Sequence, residues 1–190
     1  MDEKDIRKRL KKELDKDRYE HTKGVMYTAA CLAMAYQYDV KKAMIAGLLH
    51  DCAKCIPKDE KYRLCAKYDV VLSAEEINNP ALVHAKLGAV LAEELYDIHD
   101  SEILHAIKVH TTGEPDMSLL DMIIFVADYI EPKREIQPNL DEVRKLAFSD
   151  IKQCVAIILS DTLGYLKSKN AIIDMTTQRT YDFYKIYEKE

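Results

Sequence analysis

Apolar residues recur along this chain at helical spacing and almost never alternate. Ile6, Leu10 and Leu14 stand four apart in a charged segment, which predicts an amphipathic packing helix over about 2–17. From His21, the positions Val25, Thr28, Ala29, Leu32 and Ala33 share one face. They predict a helix running to about Tyr38 with His21 at its inward end. Ala43, Ile45, Ala46, Leu48 and Leu49 predict a largely enclosed helix over about 40–52. Further helices are expected over about 58–69, 81–96, 101–110, 118–130, 140–148 and 150–168. Leu87, Gly88, Leu91 and Leu95 form the inner side of one, and Ile103, Ala106, Ile107 and His110 that of the next. Pro57, Gly113 with Pro115, and Pro132 supply the stops. Ser73-x-x-Glu76 fits a capping box. A last short segment leads from Asn170 into Thr176–Tyr181. No stretch alternates long enough to build a sheet. The expected fold is all-α, one domain of five or more core helices, with 1–17 as an N-terminal packing helix and 18–190 as the body.

Composition narrows the partners. The 190 residues carry a net charge of −5 with no basic stripe, which argues against a nucleic-acid partner. No apolar run is long enough to cross a membrane, so no membrane partner is expected. The N-terminus is charged from Asp2 onward, unlike a secretory leader. The five cysteines, an odd number without framework spacing, suggest reduced thiols in a cytoplasmic protein. Cys52-x-x-Cys55 resembles half a zinc site, but no second pair follows.

The candidate chemistry lies where polar side chains interrupt apolar helices. His50 and Asp51 end the enclosed helix, and Asp128 sits near the end of Leu119–Ile130, where the helix dipole disfavours a carboxylate. Burying an aspartate is costly unless a metal or another cation compensates it. His21, His84 and His110 each stand on or at the end of a further helix. Taken singly, each histidine reads as a core or capping residue. Together, the two aspartates require a shared explanation, and an all-α domain can gather such positions at its centre. Nitrogen and oxygen donors without a thiolate suit iron, manganese or another divalent metal. His99, in a polar turn, and His105, on a polar face, are expected bystanders. Asp121 suits the dipole at the start of its helix.

The order H…HD…H…H…D resembles that of the HD-domain phosphohydrolase superfamily. The blocks Leu48-Leu49-His50-Asp51-Cys52-Ala53-Lys54, His84-Ala85-Lys86-Leu87-Gly88-Ala89, His110-Thr111-Thr112-Gly113 and Ala127-Asp128-Tyr129-Ile130-Glu131-Pro132-Lys133-Arg134 are similar to those of the YqeK-like symmetrical bis(5′-nucleosyl)-tetraphosphatases. The resemblance covers about residues 18–183. It implies an HD helical bundle with a central iron site that hydrolyses diadenosine tetraphosphate to two ADP. By resemblance, His21, His50, Asp51 and Asp128 hold the metal. His84 and His110 face the phosphates or a second metal and, with Asp51 and Lys54, carry catalysis. Lys54, Thr111 and Arg134 contact the phosphate chain. The substrate also meets His21, Asp128 and the stretch Met175, Thr176, Thr177, Gln178, Arg179, Thr180 and Tyr181, with Thr177 and Tyr181 in register for the nucleoside. Asp174-Met175 stand where the family usually has His-Pro. A homodimer is compatible with this reading.

The residues suit the same reaction. A metal lowers the pKa of bound water from about 15.7 toward neutrality. Lys54, four residues after His50, falls one helical turn away, and Arg134 can chelate phosphate oxygens with two N–H groups. No Ser-His-Asp arrangement or P-loop competes. The alternatives are another HD nucleotide phosphohydrolase or phosphodiesterase, and a nucleotide-sensing HD module without turnover. His50→Ala and Asp51→Ala are each expected to remove bound metal and activity together. Metal analysis of the purified variants checks this, and full metal content in both contradicts it.

Overall fold

Short polar side chains decide where these helices begin. In the computed structural model, which describes residues 1–134 and 138–188, every regular element among those residues is helical. Asp2, Asp15, Asp39, Ser73, Asp100, Ser118, Asp150 and Asp174 each accept a backbone N–H from the first turn of the helix that follows. Both halves of the expected Ser73/Glu76 capping box form, and Ser118 with Asp121 makes a second.

These caps correct the first expected boundary. The segment 2–17 is not one helix. It divides into α1 (Glu3–Glu13) and the start of α2 (Lys16–Ala35), with Leu14 extended and Asp15 capping α2. His21 therefore stands in the second turn of α2 and not at its end. The helix stops at Ala35 and not at Tyr38, where Gln37 takes a left-handed φ of 55°. Then come α3 (Val40–Leu49), α4 (Lys58–Lys67), α5 (Ala74–Asn78), α6 (Val83–Tyr96), α7 (Ser101–Val109), α8 (Leu119–Ile130), α9 (Leu140–Leu146), α10 (Ile151–Ser168) and α11 (Met175–Tyr184), followed by a 3₁₀ turn at Lys185–Tyr187. The last short segment is thus a helix of its own.

Helix α8 is the hub. Its buried run from Leu120 to Ala127 packs against α2, α3, α7 and α10. Helix α2 lies along α3, α6 along α7, and α11 along α10. The Tyr184 hydroxyl accepts the Met117 N–H at 2.8 Å and ties α11 to the entrance of α8. Helix α1 buries Ile6 and Leu10, and its Arg9 lies over the Tyr96 ring, 4.8 Å from the centroid. Among the described residues no helix is long and apolar enough to cross a membrane.

One glycine sets how closely α2 and α3 approach. A Cβ on Gly47 in α3 would stand 3.0 Å from Met26 Cα and 3.2 Å from the Val25 carbonyl oxygen, both backbone atoms of α2. Backbone cannot yield as a side-chain tip can, so Gly47→Ala is expected to force α2 and α3 apart. Overpacking of this kind costs about 1–3 kcal/mol, or a fall in Tm of about 2–4 °C per kcal/mol for a chain of this size. Thermal unfolding measures it, and an unchanged Tm would contradict the close contact.

Candidate metal centre

Five helices bring their ends, or turns near them, to one point. Helix α2 supplies His21, the C-terminal end of α3 supplies His50 and Asp51, the first turn of α6 supplies His84, the end of α7 supplies His110, and the last turn of α8 supplies Asp128. All four histidines are buried, as is Asp51. Three of the rings are locked in the same manner. Nδ1 of His50 lies 2.7 Å from the Gly47 carbonyl, Nδ1 of His84 lies 2.5 Å from that of Ala81, and Nδ1 of His110 lies 2.7 Å from that of Ile107. His21 uses a carboxylate, with Nδ1 3.0 Å from Glu131 Oε1. Donation from Nδ1 to these acceptors leaves each Nε2 as a lone pair. All four Nε2 atoms turn toward Asp51, and adjacent rings stand 5.0–5.3 Å apart.

The two oxygens of Asp51 face different pairs of rings. Oδ2 lies 3.5 Å from His50 Nε2 and 3.8 Å from His21 Nε2. Oδ1 lies 3.1 Å from His84 Nε2 and 3.6 Å from His110 Nε2. Asp128 Oδ1 completes the first group, 3.0 Å from His21 Nε2 and 3.8 Å from His50 Nε2. His21 with His50 and Asp51, His50 with His110 and Asp128, and Asp51 with His84 and His110 are each close enough to share one ion. His21 Nε2, His50 Nε2 and Asp51 Oδ1 are buried without a hydrogen-bond partner. Buried lone pairs that converge on one another satisfy no donor, and a cation is what they fit.

Burial alone would push the Asp51 carboxyl up, but His50, His110 and His84, where they carry charge or donate from Nε2, hold it well below the usual carboxylate range; with Nε2 a lone pair on each ring, a cation is needed in their place. Burial acts on Asp128 in the same sense, and His21, His50 and Arg134 overcome it. His84 is pushed down to about 4, chiefly by burial, so its ring is neutral at neutral pH. Cations rim the centre. Arg18 donates to Asp51 Oδ2 at 2.7 Å, and Arg134 donates to Asp128 Oδ1 at 2.7 Å and to its carbonyl at 3.0 Å. Lys54 Nζ lies 3.2 Å from His84 Nε2 and 3.8 Å from Asp51 Oδ1, and Thr111 Oγ1 lies 3.3 and 3.2 Å from His84 and His110 Nε2.

The six expected ligand-type residues, with Lys54, Thr111 and Arg134, therefore meet at one place. Of the stretch 175–181, Thr176 lines a small cavity with Thr111 and Gly113 beside the centre, Thr177 and Thr180 are buried in α11, and Tyr181 donates its hydroxyl to Glu188. Asp174 caps that helix through the Thr176 N–H at 2.7 Å, a backbone role that explains an aspartate there. His99 pairs with Asp97 on the surface. His105 is no simple surface residue: its ring lies between Glu114 at 3.1 Å and the buried Asp121 at 3.0 Å, outside the centre. Two residues of the centre escaped sequence reasoning. Arg18 looked like one more charge on a charged helix. Glu131 lay inside a motif already noted, where its burial was the missing signal.

A family profile described as the HD domain matches residues 18–133. The chain belongs to the HD-domain family. It is 42% identical to a protein of Bacillus subtilis named bis(5′-nucleosyl)-tetraphosphatase, symmetrical, over 92% of each chain. A protein of the same name from Halalkalibacterium halodurans is 40% identical over 91% of each chain. The crystal structure of a predicted HD superfamily hydrolase involved in NAD metabolism, from Clostridium acetobutylicum, superposes with a TM-score of 0.94 at 38% identity, covering 98% of each chain. The helical arrangement that gathers these side chains is thus that of the HD family.

Glu131 pairs with the His21 ring, and Gly24 leaves room for its carboxylate. A Cβ on Gly24 would collide with Glu131 Oε2, whose other contact is the Lys133 N–H at 2.9 Å. Removing the partner of a metal-bound imidazole costs about 10–100-fold in metal affinity. Glu131→Gln and Gly24→Ala are both expected to weaken metal binding by that order. Titration against a competing chelator measures it, and wild-type affinity in both variants would contradict the role.

Proposed function

We propose that this chain hydrolyses dinucleoside polyphosphates, cutting diadenosine tetraphosphate in the middle to give two ADP. The observation that carries the reading is the Asp51 carboxylate with one oxygen toward His21 and His50 and the other toward His84 and His110, rimmed by Lys54, Thr111, Arg18 and Arg134. Relatives 42% and 40% identical over nearly the whole chain carry the name of that activity. His21, His50, Asp51 and Asp128 are the ligands for iron, with manganese or another divalent ion as the alternative. His84 and His110, with Asp51 between, offer a second position. A divalent metal held there lowers the pKa of bound water toward about 7 and offsets the charge of the phosphates.

The chain's own groups supply the rest. The forks of Arg18 and Arg134 match phosphate oxygens in pairs, and Lys54 adds a point charge between them. The Thr111 hydroxyl donates to a phosphate oxygen. His84 presents a neutral Nε2 beside Lys54 Nζ and His110 Nε2. The net charge of −5 suits a small nucleotide guided by local cations better than a nucleic acid. The five cysteines are free thiols, which suits a reducing, cytoplasmic setting.

Chromatography of products at early times tests the reading. ADP as sole product from diadenosine tetraphosphate is expected. AMP with ATP refutes central cleavage, and no turnover with ferrous iron or manganese contradicts the hydrolase and favours a sensing module.

A further inference from the structure

We infer that Arg144 is a positioning residue of the centre: from α9 its guanidinium clamps the turn after α8, and so sets Glu131 against His21 and Arg134 against Asp128. One side chain meets three main-chain carbonyls. Nε donates to the Ile130 oxygen at 3.1 Å, and Nη2 donates to those of Glu131 at 3.1 Å and Arg134 at 3.2 Å. A cap for the end of α8 needs only the first two. The Arg134 carbonyl lies beyond the helix, so the clamp spans the whole turn 130–134. The Glu131 carbonyl also accepts the Arg134 N–H at 3.0 Å, so the turn and its clamp share an atom.

Both arms of this turn end at the centre. Glu131 Oε1 lies 3.0 Å from His21 Nδ1, and Arg134 Nη2 lies 2.7 Å from Asp128 Oδ1. Arg144 itself stays outside. Arg134 lines both cavities beside the centre, one with Arg18 and His21 and the other with Lys54 and His110, and Arg144 lines neither. Its own helix is firmly seated. Leu140, Val143 and Ala147 are buried, and the Cys154 thiol of α10 donates to the Val143 carbonyl at 3.5 Å. The cation also suits the negative end of the α8 dipole, the end that disfavours the Asp128 carboxylate. A planar fork with fixed donor directions can hold several carbonyls at once, whereas an ammonium on a flexible stem cannot. Loss of the clamp would release both arms together, and a misplacement of about 1 Å at a reacting centre can cost about a hundredfold.

This role deepens the hydrolase reading and rests on it only for what arrives at Arg134, so its test reads binding and not turnover. Competition with a chelator measures manganese affinity, and calorimetry of the manganese-loaded full chain measures inorganic phosphate. Arg144→Met, which keeps the apolar stem, is expected to weaken each by about tenfold, as for residues of one hydrogen-bonded network. Its effect on phosphate is expected to shrink below about twofold once Arg134→Ala is present, and its effect on manganese likewise once Glu131→Gln is present. General loosening of the fold would instead give the same loss in every background. Arg144→Lys is expected to keep the fold and still lose both affinities, and it carries the test if Arg144→Met does not fold. The inference is overturned if either affinity stays at the wild-type value in the folded variant, if Arg144→Lys restores both, or if the losses simply add to those of Arg134→Ala and Glu131→Gln. A chain that shows both couplings yet turns over no dinucleotide would keep the clamp and remove the hydrolase reading. Turnover with additive losses would do the reverse.

Discussion

A carboxylate buried among four imidazoles is the constraint from which the rest of this structure follows. Asp51 has lost its water, and desolvation disfavours its charge by an amount that no single neutral ring repays. Arg18 donates to one of its oxygens at 2.7 Å, and a cation among the converging lone pairs is what offsets the rest. Each neighbour must therefore be aimed. Every histidine has its Nδ1 committed to an acceptor, which leaves Nε2 to point inward. Asp128 repeats the logic one step outward, with Arg134 in place of Arg18.

Helix ends make this aiming possible. The last carbonyls of a helix have no partner inside it. The Gly47 and Ile107 carbonyls are such groups, and each fixes the ring three residues on. The apolar parts of α2, α3 and α8 form the core while their polar positions line the centre, so folding energy and site geometry come from the same helices. Gly47 permits the close crossing of α2 and α3, and Gly24 admits Glu131 to His21. Both glycines matter for space and not for backbone freedom.

What could be read from the sequence was what contradicted its surroundings. His50, Asp51 and Asp128 interrupt apolar helices, so burial could be inferred without coordinates. The breaks at Pro57 and Pro132 were legible for a similar reason, because proline removes a donor. Residues that look ordinary in their local setting were not legible. Asp15 ends one helix and starts another, yet in sequence it is one charge among many. Arg18 and Glu131 acquire their roles only across the fold, from Asp51 and His21.

The central claim is that the lone pairs gathered by Asp51 hold a divalent ion. Anomalous diffraction from crystals of the protein loaded anaerobically with ferrous iron, collected at the iron edge, tests it most directly. The account predicts a peak between His21, His50, Asp51 and Asp128, within about 2.0–2.2 Å of their nitrogen and oxygen atoms. A peak at His105, Glu114 and Asp121 instead, or none at Asp51, would contradict it.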